Sequence, residues 1–149
     1  QLTNKNLIVI PSRNIAEGMS ACLSFNPEAS VEENTDALND ALATVKSASV
    51  TYAVRNTNVD GLQIAKGDII GLTDSSILTK GKTIDETVIS LIEKTVNEDI
   101  INLTLFFGND VKEEDAYNLQ DKLSAIYPDK EISVLFGGQP VYYYLISME

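Results

Sequence analysis

TIDETVISLIEKTVNEDIINLTLFFGNDVKEEDAYNLQDKLSAIYPDKEISVLF, residues 83–136, alternates helix and strand twice, and the layering of the whole chain follows from it. Thr83 with Glu86 has the spacing of a capping box, and Ile84, Val88, Leu91, Ile92 and Val96 recur behind it on one helical face. Residues 103–107 are a short continuous apolar run, which reads as a buried strand. Asp110 with Glu113 predicts a second capped helix, its acidic first turn suited to the helix dipole. Leu119, Leu123 and Ile126 give that helix a buried face, and Pro128 stops it before a strand over residues 132–136.

Downstream stands GGQPVYYYLISME, residues 137–149. In a strand over 141–146, Tyr142, Tyr144, Ile146 and Met148 share one face, and Val141, Tyr143, Leu145 and Ser147 the other. Both faces are apolar, so the strand is either core or partly covered by another molecule. Gly137 and Gly138 permit backbone shapes closed to other residues and a close approach by a ligand or partner. Upstream, residues 49–54 are β-rich, Asp60-Gly61 is a turn dipeptide, and residues 69–72 and 77–79 are short strands punctuated by Lys66-Gly67-Asp68 and Asp74-Ser75. From residue 62 onward the order is strand, strand, helix, strand, helix, strand, strand, a two-layer lobe with helices on one face of a mixed sheet.

Residues 1–61 read as a smaller α/β piece. Residues 7–10, LIVI, predict a strand covered on both faces, followed by a helix with Ile15, Met19, Cys22 and Leu23 inward. Ser30 with Glu33 is a capping box opening a helix whose core face is Ala37, Leu38, Ala41, Leu42 and Val45. The expected division is therefore a partial N-lobe, 1–61, and a C-lobe, 62–149. A start at Gln1, without Met and close before a strand, suggests a piece cut from a longer protein with a truncated N-lobe.

Eleven basic and 22 acidic residues leave a net charge of −11, which repels phosphate backbones and anionic lipid; neither nucleic acid nor membrane insertion is expected. The chain has no histidine and one cysteine, Cys22, so histidine acid–base catalysis and His/Cys zinc sites are excluded and a reducing cytoplasm is the expected setting. Lys80-Gly81-Lys82-Thr83 carries the end of a phosphate-binding loop, but Ser76 stands where the first glycine belongs. Asn56, Asn58, Asp60 and Gly61 match a calcium loop whose twelfth position should be Glu and is Gly67. No general acid/base pair and no nucleophile elbow stands out.

The stretch VTYAVRNTNVDGLQIAKGDIIGLTD, residues 50–74, together with GGQPVYYYLISME, resembles the C-terminal domain of the A-type (kinase) component of bacterial fatty acid kinase, as do Ile10-Pro11-Ser12-Arg13 and Phe25-Asn26-Pro27-Glu28. That domain is similar in turn to the DegV-like fatty-acid-binding proteins, so the resemblance implies a DegV-like α/β fold. It also implies a division of labour. A DegV-like protein shields the acyl chain, a separate nucleotide domain with ATP and Mg phosphorylates the carboxylate to an acyl phosphate, and this domain helps dock the loaded carrier. Its partners would be that carrier and the kinase's own N-terminal and middle domains, with no catalytic residue, cofactor or metal here.

DegV-like carriers hold a His-Thr-Gly-Pro-Gly type loop before their last strand. Gly137-Gly138-Gln139-Pro140 takes that place here, and Pro11-Ser12-Arg13 is the only remnant of their hydroxyl-bearing turn. Losing a cation-capable donor weakens an anion site, since charge-assisted bonds are the strong ones. Ser12, Arg13, Gly137, Gly138, Gln139, Tyr142 and Tyr144 are therefore the expected binding residues, serving a partner or a vestigial ligand loop. The alternative expectation is a lipid- or small-molecule-binding regulatory module.

Overall fold

The computed structural model describes residues 4–73 and 76–149; the expected turn at Asp74-Ser75 and the start at Gln1 lie outside the described residues. The chain forms two compact units, residues 1–46 and 47–149.

In the first unit, α1 (Ile15–Leu23) and α2 (Val31–Thr44) are the regular elements. The Asn14 side chain accepts from the Glu17 N–H to cap α1, and α2 starts on a complete capping box between Ser30 and Glu33. The expected strand at residues 7–10 does not form. Leu7 and Val9 are 78% and 77% exposed, and no other strand exists among the described residues of this unit for them to pair with. The α1 face is also not the expected one: Ala16 and Ala21 are buried, while Ile15, Met19, Cys22 and Leu23 are exposed. On α2 and at its C-cap, Ala41 and Val45 are buried and Leu38 and Leu42 half-buried, as the spacing predicts, but Ala37 is exposed.

The second unit opens inside β1 (Lys46–Tyr52), at its second residue, and continues with a hairpin of β2 (Thr57–Val59) and β3 (Leu62–Ile64). Asp60 and Gly61 both take positive φ, 49° and 84°, the turn geometry that matches the twist of two paired strands. Then follow β4 (Ile69–Thr73), β5 (Ser76–Gly81), α3 (Ile84–Thr95), β6 (Asn102–Phe107), α4 (Glu113–Ile126), β7 (Glu131–Phe136) and β8 (Tyr142–Met148). Six strands form one mixed sheet in the order β5-β4-β1-β8-β6-β7, with β6 and β7 parallel and the β1–β4, β4–β5 and β6–β8 pairs antiparallel.

The division after Lys46, rather than after residue 61, reflects the place of β1. It lies at the centre of the sheet between β4 and β8, and Ala48 and Val50 join the main core. That core gathers Leu103, Leu105, Ile132, Val134, Tyr144, Ile146 and Met148 from the sheet against Val88, Leu91 and Ile92 of α3 and Ala116, Leu119 and Leu123 of α4. Both helices thus cover one face. A smaller cluster of Ala53, Ile64 and Ile70 seats the hairpin.

One expected cap is absent. Lys112 precedes α4 and makes no side-chain cap; Glu113, Glu114 and Asp115 crowd its first turn and serve its dipole directly.

Candidate functional site

In a sheet with parallel strands, loops at the carboxyl ends of those strands are where ligands are met. Here those ends belong to β6 and β7, and the loops following them, 108–111 and 137–141, lie against each other. The second is the glycine-rich loop that the sequence singles out.

Much of its hydrogen bonding is internal. The N–H groups of Gly137 and Gly138 both donate to the Phe107 carbonyl, at 2.9 and 3.2 Å. The Gln139 side-chain Nε2 donates to the Phe106 carbonyl at 2.7 Å, and the Gln139 carbonyl accepts from the Asn109 N–H at 3.2 Å. Thr51 Oγ1, on β1, donates to the Val141 carbonyl at 2.7 Å and ties the loop to the sheet centre. Gly108 is required here, because a Cβ would run into the carbonyls of Tyr142 and Gln139.

Val141 holds φ at 73°, a left-handed conformation that a β-branched residue adopts only under constraint. Around it, Leu135, Phe136, Pro140, Val141 and Tyr142 are exposed, and the Phe136 ring lies 5.3 Å from that of Phe107 in a tilted pair. An apolar rim thus surrounds a loop whose two glycine N–H groups and glutamine side-chain amide are already paired. The glycine N–H groups that an anion would need are spent on the Phe107 carbonyl.

Not every expected site residue belongs to it. Gly137, Gly138, Gln139 and Tyr142 come together. Tyr144 does not: it is 1% exposed, at the centre of the main core, so a partner cannot touch it. Strand alternation aims Tyr144 inward with Ile146 and Met148, while Tyr142 escapes burial because β8 begins there. Burial of the Tyr144 ring, with Asp85 and then Asp115 nearby, pushes its phenol well above the usual tyrosine value. Ser12 and Arg13 are exposed residues of the first unit. The Arg13 N–H donates to Glu17 Oε2 at 2.6 Å, so the start of α1 is closed by its own carboxylate.

The Lys80-Gly81-Lys82-Thr83 turn is occupied in the same way. Thr83 Oγ1 accepts from the Glu86 N–H, and Glu86 Oε2 accepts from the Lys82 N–H at 3.0 Å, placing a carboxylate where a phosphate would need to sit. No group of three or more His, Cys, Asp or Glu side chains among the described residues could hold a metal ion. No helix among them is long and apolar enough to cross a membrane.

The first unit carries a feature that sequence reasoning missed, an open apolar groove of about 300 Å³ lined by Ile8, Ile10, Phe25, Val31 and Leu38 among others. The polar groups at its edge are satisfied. Asn34 bonds the Asn26 N–H and carbonyl, and Thr35 Oγ1 donates to the Val31 carbonyl at 2.7 Å. Residues 7–10 signalled it only as an apolar run, which fits a groove wall as well as a strand.

The family described as fatty acid kinase FakA-like, C-terminal, matches residues 1–149. An uncharacterized protein of Staphylococcus haemolyticus is 38% identical over 148 residues, covering 99% of this chain and 27% of its own length. An uncharacterized protein of Staphylococcus aureus (strain USA300) is 35% identical over 148 residues, again 99% of this chain and 27% of the relative. The chain thus spans about a quarter of the length of these curated relatives. Among solved structures, the Streptococcus pneumoniae fatty acid kinase (Fak) B3 protein loaded with linoleic acid superimposes with TM-score 0.53 at 16% identity, over 81% of this chain and 50% of that one. A fatty-acid-binding DegV family protein from Thermus thermophilus gives TM-score 0.54 at 10% identity, over 89% of this chain and 55% of that one. At such identities the likeness establishes a shared DegV-type α/β fold.

Proposed function

This chain belongs to the fatty acid kinase FakA-like C-terminal family, and from that membership we propose that it is a non-catalytic docking domain that holds an acyl-loaded DegV-like carrier. A nucleotide domain elsewhere in the kinase, with ATP and Mg, then phosphorylates the acyl carboxylate to an acyl phosphate. The reading includes contacts with the kinase's own N-terminal and middle domains and a reducing cytoplasmic setting, in keeping with the exposed free thiol of Cys22.

The observation that carries the proposal is the closed loop at residues 137–141. Gly137 and Gly138 give both N–H groups to Phe107, and Gln139 turns its side chain inward onto Phe106. A carboxylate held by the glycine N–H groups or the Gln139 amide would have to break these bonds and would find no histidine to replace them. The apolar rim of Phe136, Pro140, Val141 and Tyr142 around it suits a protein surface. Arg13, Gln139 and Tyr142 are the contact candidates that remain exposed or half-exposed. Deleting residues 1–149 from the full kinase should weaken its affinity for the loaded carrier; an unchanged affinity would overturn the reading.

The groove in residues 1–46 favours a second reading, a lipid- or small-molecule-binding regulatory module. Native purification followed by mass spectrometry distinguishes it: a retained acyl chain supports a ligand module, and an empty protein counts against it.

A further inference from the structure

The sheet of the second unit has two edges, β5 and β7, and they are treated differently. An edge strand turns every second N–H and C=O outward and templates another strand unless it is guarded. The β5 edge is guarded. Lys80 pairs with Asp68 at 3.1 Å, Lys94 Nζ donates to the Leu78 carbonyl at 2.8 Å, and the register with β4 slips between Gly71 and Leu72.

The β7 edge is guarded only at its start. The Glu131 and Gly137 N–H groups donate to Ile101 and Phe107 of the neighbouring chain segment, so the main-chain groups of odd-numbered residues point to β6 and those of Ile132, Val134 and Phe136 point away from it. Gln120 Nε2, reaching over from α4, donates to the Ile132 carbonyl at 2.7 Å. Beyond it, the main-chain groups of Val134 and Phe136 meet no partner among the described residues. No lysine or proline interrupts β7, and Leu135 and Phe136 are 48% and 66% exposed beside the open edge. On the helix side, the flank of α4 that carries Gln120 also carries Glu113, Tyr117 and Asp121 by helical spacing.

We propose that the second half of β7 accepts an extended segment of another protein as a seventh strand. The segment alternates cationic residues, turned toward Glu113 and Asp121, with apolar residues turned toward Leu135. Main-chain bonds to Val134 and Phe136 supply affinity and the two flanks supply specificity. Charge selects the occupant: at a net −11, a second copy of this chain is repelled and a cationic strand is attracted. β7 and α4 alone form this edge, which would bind such a strand even if the docking reading failed.

The probe is an end-blocked peptide of alternating lysine and valine, added to the full chain while amide hydrogen exchange is followed residue by residue. With peptide at about ten times its dissociation constant, exchange at Val134 and Phe136 should slow by about tenfold. Ser133 and Leu135, already bonded to β6, should change little. The same peptide N-methylated at every residue keeps its charge, loses its donors and should protect neither amide. Leu135→Lys, at an exposed position, should weaken binding.

Absence of protection at Val134 and Phe136 overturns the proposal, and so does equal protection by the methylated peptide. Equal binding of a glutamate–valine peptide overturns the cationic preference. Protection without peptide, together with a dimer in sedimentation, would assign the edge to a second copy instead.

Discussion

Val141 and Gly108 lie within one loop contact yet respond oppositely to substitution. Val141 carries a β-branched side chain at φ 73°, so Val141→Asn, which tolerates the left-handed region, should raise stability by about 1 kcal/mol in urea unfolding. Gly108→Ala should lower it by roughly 1–3 kcal/mol, because the new methyl meets two carbonyl oxygens that belong to backbone and cannot swing away. Tyr144 makes a pH prediction. Its phenol is raised above the ordinary value of 10.0 by burial, so its stabilising share is full below pH 10 and is lost as the pH climbs toward the higher native value. Packing of the ring in the main core is its chief role, so Tyr144→Phe should be nearly neutral at pH 7 and should flatten the alkaline fall in melting temperature. Tyr144 was also legible only in part. Alternation puts it on the same face as Tyr142, and the sequence holds no sign that β8 starts at Tyr142 and leaves that ring outside.

At the scale of elements, local signals succeeded where a chain segment satisfies itself and failed where a distant partner decides. The Asp60-Gly61 hairpin, the Ser30–Glu33 box and the α3 stripe need only neighbours in sequence, and all three form. Ser30→Ala should cost about 1 kcal/mol and reduce helicity by circular dichroism. Glu33 lies below its ordinary carboxylate value because it accepts from the Ser30 backbone N–H. The Glu33 contribution is therefore present above pH 4.5 and disappears as acid carries the pH through the lowered native value. Ser30→Ala and Glu33→Gln should both blunt that acid-side loss. By contrast, residues 7–10 have the composition of a strand and no strand to join among the described residues, and β1 has the composition of a small-lobe strand and the position of a central one. Strand pairing is decided by long-range contacts, which periodicity does not encode. The Asp110 cap failed locally: the Val111 N–H is taken by the Gly108 carbonyl in a turn, and the helix begins two residues later than its acidic pattern suggests.

For the molecule as a whole, missing chemistry and family motifs agreed before any fold was in view. The absence of histidine excludes one class of mechanism directly, and the motifs at residues 50–74 and 137–149 pointed to the family whose profile matches residues 1–149. The closure of the 137–141 loop by Gln139 was not legible, because a glutamine beside two glycines fits a ligand loop and a plugged loop equally well. Charge should shape association: with a net −11, an electrostatic share in carrier binding would show as affinity falling with added salt. The decisive measurement is calorimetric titration of this chain with the DegV-like carrier, acyl-loaded and empty, with free fatty acid as a third titrant. A docking domain gives binding heat with the carrier, strongest in its loaded form, and none with the free acid. Heat with the free acid and none with either form of the carrier would contradict the docking account and make the chain a ligand-binding module.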